Sequence, residues 1–140
     1  MRNGRRNLVA LSAIALSLAA CDVVGPEDTL GQFEWGELEN GPVEEYAVAE
    51  RFGAEVVVLG ELNAPTACYK LEPDASKSRS RVTLTIDVTT TTSPNCADRT
   101  GSYRYSALLR GLDGINELRV VHDVAGGETT EYIISLAEIE

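Results

Sequence analysis

Three cysteines and a single histidine hold most of the chemistry that this 140-residue chain could perform. Cys21 closes a short apolar run, Leu8 to Ala20, which follows the basic residues Arg2, Arg5 and Arg6. Cys68 and Cys96 lie far downstream, and no C-x-x-C spacing occurs. With His122 the only histidine, a zinc site is poorly supplied, and neither a metal nor a cofactor is expected. The pair His122-Asp123 suggests general-base chemistry, which needs a carboxylate beside the imidazole and a nucleophile within hydrogen-bond reach. Adjacent strand residues point to opposite faces, so Asp123 should not orient His122. The pair precedes the turn sequence "VAGG", and a solvated histidine at a strand end is expected there. Adjacent acids such as Glu44-Glu45 are expected by chance among 22 acidic residues. No phosphate-cradling loop or nucleophile elbow is present, and no catalytic residue is assigned.

The run before Cys21 is too short to span a membrane, which needs about 20 apolar residues. A basic start, a short apolar stretch and small terminal residues read as an export signal. Leu18-Ala19-Ala20-Cys21 resembles the lipobox of bacterial lipoproteins. The resemblance implies a diacylglyceryl thioether on Cys21, cleavage before it, and a domain facing the periplasm or the cell exterior. An ordinary secretory signal cut after Ala20 is the alternative. Two or three acyl chains give stable anchoring, where one gives marginal binding. Asp22 follows the cysteine, as in some inner-membrane lipoproteins. Residues 22 to 31 read as a tether reaching at most about 35 Å when extended. With Cys21 lipidated, Cys68 and Cys96 remain to pair in an oxidising compartment. That bond would close a loop of roughly 30 residues and contribute about 3.5 kcal/mol in the chain-entropy model.

Beyond residue 20 the chain holds nine basic and 22 acidic residues, a formal charge of −13. Such a balance excludes electrostatic attraction to nucleic acid or to anionic lipid heads. From Asp22 to Glu61 there are eleven acids and one base, Arg51. A solvated acidic face is the preferred account and an acidic patch for a basic partner or calcium the alternative, although no spaced calcium loop is present.

The elements that must carry these residues read as strands. Val82, Leu84, Ile86 and Val88 alternate with Thr83, Thr85, Asp87 and Thr89, the period-two pattern of a strand buried on one side. Val56, Val58 and Leu62 share one face, with Val57 and Leu59 on the other, and Gly60 marks a bulge or a close backbone approach. Tyr103, Tyr105, Ala107 and Leu109 fall together. So do Leu118, Val120 and His122, and then Tyr132, Ile134 and Leu136. Phe33 and Trp35 mark a first strand. Residues 42–52 admit a short helix or a strand, and the strand is preferred. Short strands divided by "NAPT", "PDASKS", "TSPNCADRTG", "LDG" and "VAGG" predict one antiparallel β-sandwich over residues 32–140, all-β in class. Most of the tyrosines are expected in its core. An exposed aromatic patch on a sheet face would instead favour partner binding.

"LLRGLDGINELRVV" resembles the strand-turn-strand passage of immunoglobulin-like and fibronectin-III-like domains. The resemblance implies that Leu109 and Leu112 enter the core, Gly114 turns, and Leu118 and Val120 re-enter it. The tyrosine common after that turn is replaced here by Asn116 or Glu117. "NAPTACY" is similar in part to the Asn-Pro-Thr loop of chagasin-like cysteine-protease inhibitors. It differs by an Ala between Asn63 and Pro65 and by Cys68 at the glycine position, and the later Arg-Pro-Trp motif is absent. That similarity makes Asn63, Pro65, Thr66 and Tyr69 a candidate binding loop. A turn fixed by Pro65 ahead of a disulfide is the alternative. The expected role is a lipid-anchored, non-catalytic envelope module that binds a protein partner or stabilises an assembly. A protease-inhibitor-like or small-ligand binder is the second reading.

Overall fold

The computed structural model describes residues 29–91, 96 and 99–137. The expected signal, Cys21 and residues 22–28 of the tether lie outside them. Eight strands follow in order: β1 (Leu30–Glu37), β2 (Tyr46–Phe52), β3 (Glu55–Ala64), β4 (Tyr69–Ser78), β5 (Arg81–Thr90), β6 (Gly101–Leu109), β7 (Glu117–Val124) and β8 (Thr129–Ser135). Pairing begins at Leu30, and Thr29 just before it is buried.

The strands form two four-stranded sheets that pack face to face, in the orders β1-β6-β3-β2 and β4-β5-β7-β8. We call these sheets A and B. The sandwich matches the period-two patterning, because each strand offers one apolar side. Val82, Leu84, Ile86 and Val88 are buried while Thr83, Thr85 and Asp87 line the outer surface. Residues 46–52 form a strand. Leu109, Leu112, Leu118 and Val120 are all buried, and Gly114 adopts φ +74°, a conformation that favours glycine.

One expectation is corrected. Sheet B is mixed, since β5 and β7 run parallel. The chain leaves sheet B after β5, traverses sheet A as β6, and returns as β7. Two crossings restore the original direction, so β5 and β7 are parallel neighbours. Periodicity reports which face a residue takes, and it carries no information about the neighbouring strand. The strand orders do not reproduce the ABED and CFG sheets of immunoglobulin constant domains.

Two side-chain devices close the sandwich. At one end the Cys68–Cys96 disulfide, with Cα atoms 5.3 Å apart, ties the β3–β4 crossing to the β5–β6 connection. At the other end Arg51 of β2 donates to the carbonyls of Leu112 (2.8 Å), Leu136 (3.1 Å) and Ile115. These carbonyls belong to the β6–β7 loop and the segment after β8. A planar guanidinium with several fixed donors suits such a cluster of carbonyl oxygens.

Gly60 permits a close approach within the core. It pairs with Tyr105 across β3 and β6. A Cβ at Gly60 would lie 2.3–2.5 Å from the Tyr105 ring and hydroxyl. The phenol therefore occupies the space that any other residue would fill. Gly60→Ala should destabilise the domain by about 2 kcal/mol, by overpacking and by displacing Tyr105. Gly36, with no atom within 4 Å of such a Cβ, is the control, and Gly36→Ala should stay within about 0.5 kcal/mol. Denaturant melts of both variants check this, and equal losses would contradict it.

Candidate functional site

The candidate binding loop lies at the disulfide end, and its four residues separate. Asn63 is the next-to-last residue of β3, and its half-buried side chain is committed to hydrogen bonds within the protein. Its Oδ1 accepts from the Val43 amide (2.9 Å) and the Ser102 hydroxyl (2.7 Å), and its Nδ2 donates to the Val43 carbonyl (2.7 Å). The Asn63 amide donates to a Glu45 carboxylate oxygen at 2.8 Å. Asn63 thus fastens the segment before β2 to β3. Tyr69 is the first residue of β4 and is buried. Its hydroxyl donates to the Ala125 carbonyl at 2.9 Å, and its amide donates to the Tyr103 hydroxyl at 3.2 Å. Thr66 lies against the disulfide, its Oγ1 3.5 Å from Cys96 Sγ. Pro65 is exposed. Asn63 and Pro65, with Glu45, Thr100, Gly127 and Glu128 among others, line a shallow pocket of about 280 Å³. Thr66 and Tyr69 do not line it.

His122 is placed differently from the sequence expectation. It is 1% exposed, in the core between the sheets. β7 continues to Val124, so the hairpin begins two residues later than a strand-end histidine requires. The alternation that buries Leu118 and Val120 also carries His122 inward. Tyr105 Oη meets His122 Nε2 at 2.7 Å across the two sheets. The rings are edge-on at 5.5 Å, and Tyr132 packs on the imidazole at 5.1 Å. Nδ1 has no hydrogen-bond partner. Burial lowers the His122 pKa to about 4 and raises that of Tyr105, so both groups are neutral at pH 7. Neither group is open to a substrate at this depth, and the pair joins β6 to β7. Asp123 points outward, as expected, and accepts from Thr129 Oγ1.

The outer faces of the sheets differ. Sheet B presents mostly hydroxyls and charged groups, with Glu72, Asp87 and Asp123 in one cross-strand row and Ile133 a single exposed apolar residue on β8. Desolvation, then the charges of Asp123, Asp74 and Glu72, raise the Asp87 pKa. Sheet A presents apolar side chains. Val48 of β2 pairs with Leu59 of β3, and Phe52 and Tyr46 lie four and two residues from Val48 along β2, on the same face. Phe52 is 57% exposed, Val48 51%, Leu59 44% and Tyr46 36%. Val57 and Leu108 continue the surface as a half-buried cross-strand pair. Beside it, a groove of about 360 Å³ runs over Gly36 between Glu34, Leu59 and Arg104. Arg104 is held by Glu61 at 2.5 Å. Trp35, Tyr103 and Tyr105 lie on the inner side of the sheet. Tyr103 and Tyr105 are buried, and Trp35 stacks edge-on against Tyr103 at the β1 margin.

The sequence reading does not assemble this surface. Its signal is present in β3, where Val57 and Leu59 oppose Val56 and Val58. A strand apolar on both sides either lies between two layers or exposes one side. Alternation alone does not choose between them. Comparison of the chain with protein-family models, curated proteins and solved structures returned no match.

The low pKa of His122 sets a pH dependence. Between about pH 6.5 and pH 4 the unfolded chain binds a proton that the folded chain does not. Stability should therefore be full above pH 6.5 and fall as the pH drops towards 4, by about 3 kcal/mol in all. Thermal melts from pH 7.5 to 5 should slope for the native chain and flatten for His122→Phe. Equal slopes would contradict a buried neutral imidazole.

Proposed function

We propose that this chain is a lipid-anchored module of the bacterial cell envelope, held to a membrane through Cys21, whose β-sandwich binds another envelope protein without catalysis. The observation that carries the binding role is the grouping of exposed Tyr46, Val48, Phe52 and Leu59 on one face of β2 and β3, joined by the half-buried Val57. Scattered apolar residues are normal on a protein, whereas grouped ones mark an interaction surface. The lipobox-like run ending at Cys21 supports the anchor, and the Cys68–Cys96 bond fits an oxidising compartment. Only seven residues, 22–28, separate Cys21 from the buried Thr29, so the anchor would keep the domain near the bilayer. The acidic chain favours a protein partner over nucleic acid.

A second reading rests on the pocket lined by Asn63, Pro65, Glu45 and Glu128, which fits a small ligand at the disulfide end. The two readings place contacts at different ends and faces of the sandwich.

In-cell photo-crosslinking of the full chain separates them. A photoreactive residue at Leu59 should give one discrete adduct, and one at Thr85 on the outer face of sheet B should give none. Adducts from Pro65 alone would favour the second reading. Fractionation of the same cells tests the anchor. The native chain should sediment with membranes, and Cys21→Ser should not. A native chain found in the soluble fraction would refute lipidation.

A further inference from the structure

We infer that the outer face of sheet A docks a protein surface made of an apolar centre flanked by lysine or arginine. The inference rests on the binding role proposed above and specifies the chemistry of the partner. Its basis is the charge around the patch. Glu50 lies between Val48 and Phe52 on β2, and Glu55 pairs with Phe52 across β2 and β3. Glu34 pairs with Ser106 on the far side of the face. None of these three carboxylates has an ion-pair partner among the described residues. Of the cations on and just beyond β6, Arg104 is engaged by Glu61, its cross-strand neighbour, while Arg110, past the end of β6 and over Gly31, lies at the margin of the face. The patch therefore presents apolar side chains between unpaired negative charges.

Three occupants would cover the apolar area, and the charges discriminate between them. A second copy related by a two-fold axis brings the same patch onto itself, so an apolar surface rimmed by Glu34, Glu50 and Glu55 would face another rimmed by the same acids. Like charges brought together at an interface cost several kcal/mol, which disfavours self-association. A bilayer surface would cover the apolar residues but would press the carboxylates against lipid headgroups. A protein carrying Lys or Arg around an apolar knob satisfies both parts of the surface. Its charges would raise the association rate and fix its orientation, and the apolar centre would supply the affinity.

The test uses two synthetic extended peptides of equal length, with identical alternating Leu, Val and Phe positions. One carries Lys and the other Glu at the remaining positions. Each is titrated into the isotopically labelled native chain and followed by amide chemical shifts. The Lys peptide should perturb Val48, Glu50, Phe52, Val57 and Leu59 and leave β4 and β5 unchanged. Its affinity should fall about tenfold between low and physiological salt, as charge-steered contacts do. The Glu peptide should not bind. Glu50→Gln combined with Glu55→Gln should remove most of the preference while leaving the melting temperature unchanged. Leu59→Ser should abolish binding of the Lys peptide.

Perturbation centred on Glu72, Asp87 and Asp123 would show attraction to acid in general and would overturn the inference. Equal binding of both peptides would also overturn it, leaving an apolar surface without charge selection. Concentration-dependent shifts at the patch without peptide would identify a second copy as the occupant. Shifts at the patch with zwitterionic phosphatidylcholine vesicles and none with the Lys peptide would identify the bilayer. The Leu59 crosslink is independent of these outcomes. A crosslinked protein together with a non-selective patch would remove the charge inference and keep the binding role.

Discussion

The phenol of Tyr105 and the imidazole of His122 form a buried side-chain hydrogen bond between the two sheets, deep in a largely apolar core. Most of the arrangement follows from accommodating it. The hydrogen bond spans the two sheets, so it fixes how β6 lies over β7. It needs a gap in sheet A, and Gly60 leaves that gap beside Tyr105. It needs shielding from water, which Phe33 and Tyr132 contribute by packing on the two rings. A buried polar group without a partner costs about 1–3 kcal/mol, so removing either member leaves a penalty behind. An apolar core would tolerate sliding of one sheet over the other more easily than this directional contact does.

The remaining constraints act at the two ends. The disulfide joins the places where the chain crosses between sheets, after β3 and after β5. Arg51 gathers three carbonyls where β6 turns towards β7 and where the chain leaves β8. With the interior and both ends fastened by inward-facing groups, the outer faces are free to differ. Sheet B carries threonines, a row of acids and paired cations on its outer face, with Ile133 its one exposed large apolar side chain among the described residues. Sheet A keeps exposed apolar residues framed by carboxylates. That asymmetry is the basis for placing the binding function on sheet A.

Much of the fold was legible in the sequence because strands write their faces at period two. Val82 to Val88, Tyr103 to Leu109 and Leu118 to His122 all take the face that alternation assigns. The disulfide followed from counting thiols once Cys21 was set aside for lipid. The parallel β5–β7 pair was not legible, because it depends on β6 lying in the opposite sheet. The setting of His122 was misread from its nearness to "VAGG", although its own alternation with Leu118 and Val120 pointed inward. The candidate loop was only partly informative. Asn63 and Pro65 reach a pocket, while Tyr69 is consumed by the core. The sheet A surface was hidden because Val57 and Leu59 look like core residues until the layer that would cover them is found to be missing.

The most direct measurement is a ¹⁵N NMR titration of the imidazole, which is unambiguous because His122 is the only histidine. The account requires a neutral ring down to about pH 4, with its Nε2 resonance coupled to the Tyr105 hydroxyl. A titration midpoint near 6.5, the value of a solvated histidine, would show that water reaches the ring. The two sheets would then not be joined as described, and the separation of a sealed interior from a functional outer face would fail with them.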